Sequence, residues 1–360
     1  MENNLFTLLR IGLGLTLPET EDLDSLRELK EEDWVALMDL AQKHGVSAFV
    51  FDAFQILYGR GGNIPVSMDL LMDWLGQTSY AEEINRRQID IMNQFGNYMS
   101  QNGCDVMVMK GQANGLYYPN PLHRATGDID IYMFQNYEKG NELASRLGAK
   151  VDTHWYKHSQ IHYNGEMFEN HQYFVHTRDG ERGRTLDSTL KSLLNAQDLS
   201  SYPDSKVLLP SLSFTAFFLT YHGMGHFLSE GLHLKQVLDW VMFVNKEKDN
   251  IDWQQLYKLT SIFNRKRFLD VMNDIAVHKF GISIDNPEVA TTSPYTDKVL
   301  HSILYDEDFV FSSGKSGWQN RWHLITNMWK YRWKYNDIYE TSIFKQFYYY
   351  ASGYLFHTEK

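Results

Sequence analysis

Residues 127–133 read Gly-Asp-Ile-Asp-Ile-Tyr-Met. A period of two fits an extended strand, which places Asp128, Asp130 and Tyr132 on one face and Ile129, Ile131 and Met133 on the other. The apolar set marks a core. The two carboxylates share the opposite space, with their Cα atoms ~7 Å apart. In a cleft, like charges at that separation raise one another's pKa unless a cation intervenes. A hard cation with oxygen ligands, such as magnesium, is the natural neutraliser. The competing reading is the exposed polar face of an amphipathic strand.

The residues before the pair favour the first reading. Asp105-Val-Met-Val-Met109 is a short apolar run between Gly103 and Gly111, as expected of a buried strand. Lys110-Gly111-Gln112 then falls at a strand-to-helix turn, where backbone N–H groups and the helix dipole favour a phosphate. Arg124 adds a guanidinium suited to bidentate phosphate contact. Gly127 permits close backbone approach beside the acids. A phosphate-binding turn next to a strand with paired carboxylates suits metal-assisted phosphoryl or nucleotidyl transfer.

The rest of the chain supplies the frame. Leu5, Leu8 and Leu9, and later Leu37, Met38, Leu40 and Ala41, recur at helical spacing. Asp33 is a candidate cap for a helix that stops near Gly45. Gly61-Gly62-Asn63 reads as a loop, and a long helix is expected from about Ser67 to Gln101, ended by Gly103. Beyond Met133, a helix is expected over 137–147 with Gly148 as its stop. Two or three strands follow over 150–175, with Asn164-Gly165 as a hairpin turn. Phe214–Leu228 and Leu232–Val244 read as core helices. The expected fold is α+β: a small mixed β-sheet between N- and C-terminal helical regions. The expected division is a helical region over 1–102, an α/β core over 103–195 and a helical region over 196–360.

Composition narrows the function. A formal net charge of -11 over 360 residues argues against non-specific nucleic-acid binding, which depends on Lys and Arg. The single cysteine, Cys104, excludes an intramolecular disulfide framework and is expected to be an inert packed thiol. No apolar stretch reaches the ~18 to 20 residues that span a bilayer. Glu2 and Arg10 make the N-terminus a poor signal peptide, so the cytoplasm is the expected compartment.

The string Lys110-Gly111…Leu116-Tyr117…Pro121…Arg124…Gly127-Asp128-Ile129-Asp130 resembles the uncharacterised bacterial nucleotidyltransferase family often called NTP_transf_5. Its glycine turn and paired acids are similar to those of the DNA polymerase β-like nucleotidyltransferase superfamily. The resemblance extends to Asp33-Trp34…Ala41…His44-Gly45-Val46 upstream and to His222…His226…Leu234…Leu238-Asp239 downstream, and so to most of residues 1–280. It implies a sheet of nucleotidyltransferase topology. It implies a magnesium-dependent enzyme that moves an NMP from an NTP to an acceptor hydroxyl and releases pyrophosphate. Asp128 and Asp130 would hold one or two Mg2+ ions. Lys110, Gly111, Gln112, Arg124 and Gly127 would bind the nucleotide. Such enzymes need a third carboxylate from an adjacent strand: Glu169 is the expected one because Glu169-x-His171 resembles the family's acid-x-His strand. Glu166 is the runner-up, and Asp187 lies further along the chain. The chain departs from the superfamily at Gln112, where Ser or Gly is usual, and in a longer gap between Gly111 and Asp128. A rival reading is a non-catalytic nucleotide-binding or scaffold protein that keeps the fold. The acceptor class is open.

Three further patterns weigh less. His222 and His226 have the i, i+4 spacing of helical metal ligands but lack the Glu of a zinc-protease motif, so core or cleft histidines bonded to neighbours are expected. His154, His158 and His162 fall in strand-like sequence and are not expected to form a metal site. Trp318, Trp322, Trp329 and Trp333 recur at helical spacing and are expected to face a core.

Overall fold

The computed structural model describes residues 1–60, 64–177, 180–229, 231–306 and 317–347. Five helices come first: α1 (Glu2–Gly12), α2 (Thr20–Arg27), α3 (Glu31–Lys43), α4 (Ser47–Gly59) and the long α5 (Met68–Gln101). Strand β1 (Met107–Val108), the single turn α6 (Gln112–Gly115), β2 (Ile129–Tyr132), α7 (Tyr137–Arg146), β3 (Lys150–Asp152), β4 (His158–Tyr163) and β5 (Glu166–His171) form the middle of the chain. Next come α8 (Glu181–Ser192), β6 (Ser200–Ser201), β7 (Leu208–Leu209), α9 (Leu212–Leu228), α10 (Leu234–Glu247), α11 (Trp253–Ile262), α12 (Lys266–Asp274), α13 (Thr296–Tyr305) and α14 (Gly317–Lys330).

Local chemistry explains most boundaries. The Ser67 hydroxyl accepts from Leu70 N at 3.3 Å and starts α5. Asp33 does not cap α3 as expected: it sits inside the first turn, where its carboxylate accepts from Lys30 N at 3.0 Å. Asn164 and Gly165 both adopt positive φ, 50° and 86°, and close the β4–β5 hairpin.

The seven strands run in the order β3-β4-β5-β2-β1-β7-β6. The pairs β2·β5 and β1·β7 are parallel and the others antiparallel, so the sheet is mixed as expected. The strands β6 and β7 were not expected; two residues each are too short to show a period. One face of the sheet carries Ile129, Ile131, Val108, Ile161 and Phe168. It packs on Ile91, Met92, Phe95 and Met99 of α5 and on Leu143 and Ala144 of α7. Cys104 is buried in this layer. The other face carries Met107 and Tyr132, which join the core formed by the N- and C-terminal helices. Burying apolar side chains on both faces, at ~25 cal/mol per Å2, fixes the register of β2. A one-residue slip would place Ile129 and Ile131 where the carboxylates stand.

The tryptophan stripe does not face a core as expected. Trp322 and Trp329 are exposed rather than core-facing, while Trp333 is half-buried against Phe227. The side chain of Trp318 and the expected loop at 61–63 lie outside the described residues. Among the described residues, no helix is long and apolar enough to cross a membrane.

Candidate active site

The parallel pairing of β2 with β5 sets Asp130 opposite Glu169 and Tyr132 opposite His171. In-register neighbours share a face, so Asp130, Glu169 and His171 point the same way, together with Asp128. One oxygen from each of Asp128, Asp130 and Glu169 lies within 4.8 Å of the others. Glu166 differs from Glu169 by an odd number of residues and therefore faces α5, where Arg87 Nε (2.8 Å) and Gln88 Nε2 (2.9 Å) donate to it. Asp187 accepts from Phe174 N at 2.7 Å and pairs with Lys191. Of the three acids considered for the third carboxylate, the fold brings only Glu169 to the pair.

Two basic side chains already lean on the cluster. Lys110, at the end of β1, places Nζ 3.0 Å from Asp130 Oδ2. His171 Nε2 lies 3.0 Å from Asp130 Oδ1 and 3.4 Å from Glu169 Oε2. Asp130 is 2% exposed, and burial alone would raise its pKa; Lys110 and His171 overcome that and hold it well below the usual carboxylate range. Asp128 moves the other way. Burial and the neighbouring charge of Asp130 raise its pKa, with Lys110 offsetting only part. Glu169 would also be raised by burial, but the adjacent imidazoles of His171 and His158 lower it on balance. The half-buried Asp128 is thus the acid whose negative charge is least compensated, which is the condition a divalent cation would relieve.

The glycine turn has a specific backbone. Gly111 adopts φ 61° and ψ −105° at the start of α6, a conformation closed to side chains with a Cβ. Because α6 is one turn of four residues, its dipole is a fraction of that of a full helix. Gln112 packs on α5. Its side chain is 4% exposed and donates to Gln88 Oε1 at 2.9 Å, while Gln88 Nε2 donates to the Gly127 carbonyl at 2.7 Å. A Cβ on Gly127 would meet open space, so close packing is not what requires this glycine.

Arg124 is engaged by a carboxylate of a later helix. Its Nε and Nη2 hold Asp239 of α10 at 2.9 and 2.6 Å, and Nη1 donates to the Ala125 carbonyl at 3.0 Å. Tyr118 OH and Asn114 Nδ2 also donate to Asp239, at 2.9 and 3.1 Å. Arg124 thus forms a buried bidentate ion pair that ties the 111–127 segment to α10.

The sequence did not mark two other half-buried lysines whose charge is felt by the acids. Burial lowers the pKa of Lys157, before β4, and Glu169 offsets only part of this. Burial likewise lowers Lys235 of α10, with Arg124 adding to the effect. The Lys235 stem crosses Gly45, where a Cβ would sit 3.1 Å from its Cδ. Among the described residues neither ammonium forms an ion pair. His222 of α9 is held neutral by burial and by Lys110, and its Nε2 meets that of His226 at 2.9 Å. The histidines of α9 are therefore bonded to each other, as expected of histidines bonded to neighbours.

A family model described as uncharacterised nucleotidyltransferase matches residues 30–281. The chain belongs to this family. No curated protein and no solved structure matches it. The matched span covers the expected resemblance, from the start of α3 to the residues after α12. For a member of a nucleotidyltransferase family, the three-carboxylate face is the candidate catalytic centre. A signal for Lys157 and Lys235 was absent from the sequence because each lies in a different element and neither falls in a motif.

Proposed function

We propose that this chain is a divalent-metal-dependent nucleotidyltransferase that moves an NMP from an NTP to an acceptor hydroxyl. The observation that carries the reading is the convergence of Asp128, Asp130 and Glu169 on one side of the β2–β5 pair, with their oxygens within 4.8 Å of one another. Three convergent carboxylates, one with its charge poorly compensated, fit a hard cation such as Mg2+. Bound there, one or two such ions would supply charge neutralisation at the α-phosphate and a lowered pKa for the attacking hydroxyl.

The chain's own groups account for the rest. Lys157 and Lys235, whose charge is felt by the acids and which have no ion-pair partner among the described residues, offset the charge of the triphosphate. The Gly111 turn lets backbone approach the phosphates closely. Arg124 and Asp239 hold the 111–127 segment in place rather than touching the nucleotide. The acceptor oxygen forms a bond to the α-phosphorus. The bond from that phosphorus to the β-bridging oxygen breaks, its electron pair leaves with pyrophosphate, and the hydroxyl proton is released.

The test is thermal stabilisation of the full chain by ATP or GTP with Mg2+, followed by assay of pyrophosphate release against a panel of acceptors. Stabilisation and release in wild type, with release lost in Asp128→Asn, is the expected result. Nucleotide binding without release across the panel would favour a non-catalytic nucleotide-binding scaffold. Full activity in Asp128→Asn would overturn the proposal.

A further inference from the structure

The antiparallel pairing of β4 with β5 sets His158 opposite His171 and Gln160 opposite Glu169. Alternation then puts His158, Glu169 and His171 on one face, the same face as Asp130. Their arrangement is specific. His158 Nε2 lies 3.3 Å from Glu169 Oε1, and His171 Nε2 lies 3.4 Å from Glu169 Oε2. One ligand atom from each of the three residues lies within 4.8 Å of the others. Metal–nitrogen and metal–oxygen bonds of about 2.0–2.2 Å require donor atoms a little under that spacing.

His171 Nδ1 lies 3.3 Å from the Tyr173 carbonyl, which only accepts, so Nδ1 carries hydrogen. In the neutral ring the lone pair then sits on Nε2. That atom faces Asp130 Oδ1 at 3.0 Å and Glu169 Oε2 at 3.4 Å, which also only accept. A lone pair aimed at two carboxylates needs a positive centre between them, either a proton or a metal ion. Nδ1–H bonded to a carbonyl is also the support that orients metal-bound imidazoles. His158 keeps its Nδ1 buried without a hydrogen-bond partner, which leaves Nε2 as the ring atom engaged with the cluster.

We propose that Glu169 is shared by two metal positions, and that the second, completed by His158 and His171, takes a first-row transition ion such as Mn2+ or Co2+ in preference to Mg2+. For its role in turnover this rests on the nucleotidyl-transfer reading; for binding it rests only on the β4–β5 face. Imidazole donors suit borderline ions, and affinities rise from Mn2+ to Co2+, whereas Mg2+ demands oxygen ligands. The site is distinct in donor set from the all-carboxylate position of Asp128, Asp130 and Glu169.

The full chain, stripped of metal and free of nucleotide, is titrated with Mn2+ and read by pulsed EPR for coupling to imidazole nitrogen, and with Co2+ read by its visible absorption. The expected result is nitrogen coupling in wild type, with Co2+ bound roughly 10- to 100-fold more weakly in both His158→Gln and His171→Gln. A tenfold excess of Mg2+, in the same experiment, leaves the nitrogen coupling in place. Mn2+ that binds with no nitrogen coupling overturns the proposal, and this reading needs no variant to fold. Equal Co2+ affinity in wild type and both variants overturns it as well and leaves His171 as an imidazolium ion pair. Because nucleotide is absent throughout, these results are independent of pyrophosphate release, whose failure would count against the transfer reaction alone.

Discussion

Two buried charge clusters lie close together in this molecule, and they are built on opposite principles. Around Asp239 the charges close: one guanidinium meets one carboxylate in two bonds, and Tyr118 and Asn114 donate to the same oxygens. Around Asp130 they stay open. Three carboxylates meet the Lys110 ammonium and the His171 imidazole, while Lys157 and Lys235 have no ion-pair partner among the described residues. A closed cluster stabilises only while it is intact, because removing one partner leaves a buried charge uncompensated. An open cluster holds unrelieved repulsion that a ligand can relieve. Substitutions should therefore act with opposite sign on stability in the two places.

The largest expected effect is on activity in the open cluster. Asp128→Asn should lower kcat by roughly 10^3-fold or more, measured by pyrophosphate release. The same change should raise the Tm of the metal-free protein. The sign follows from the pKa: in the fold Asp128 is raised by burial and by Asp130, so its ionised form is disfavoured relative to the unfolded chain. Its neutral replacement removes that penalty, which is present at every pH above the folded pKa.

In the closed cluster the loss is of stability. Arg124→Met should destabilise by about 3–5 kcal/mol in denaturant unfolding. Adding Asp239→Leu to it should recover part of that loss, since the orphaned carboxylate goes too. A double variant no more stable than Arg124→Met would remove the contrast.

Lys157→Met sharpens the comparison at smaller scale. It should reduce kcat/KM for the nucleotide by roughly 10-fold to 100-fold while raising Tm, because burial already disfavours the charged ammonium. A fall in both would make Lys157 a structural cation like Arg124.

The smallest effect concerns His123, which joins α4 to α5. Its Nδ1 meets Asp52 of α4 at 2.7 Å and its Nε2 meets Glu82 of α5 at 2.8 Å, with Arg86 3.8 Å from Glu82. Burial opposes protonation, but the two carboxylates raise the His123 pKa on balance. A raised folded pKa contributes stability that is complete below the unfolded value of about 6.5 and is lost as pH rises through the folded one. His123→Gln should cost about 1 kcal/mol in mildly acidic buffer and less in alkaline buffer, by urea unfolding at each pH.

The same comparison explains what could be read from the sequence. The open cluster was legible where its residues share a strand: Asp128 and Asp130 follow from a period of two, and Glu169 from a resemblance that the β2–β5 register then gives a geometric reason. The closed pair was not. Arg124 invited a phosphate because its partner, Asp239, lies 115 residues away on another helix. The sequence groups His158 with His154 and His162 and sets it aside as a ligand, because the hairpin register that places it opposite His171 is not visible there. Gln112 stood out as an odd turn residue, and only the packing of α5 shows that its amide is a rivet to Gln88. Local periods are printed in the sequence, whereas contacts between distant elements are fixed by how those elements pack.

The grip of α10 on the 111–127 segment has a practical corollary for anyone dissecting this chain. A fragment ending at residue 195 would contain every carboxylate of the cluster yet lack Asp239, the residue that receives Arg124, Tyr118 and Asn114. The sheet is thus not a portable module. Grafting or excising it without the later helices would deliver the acids and lose the latch that aligns the glycine turn with them.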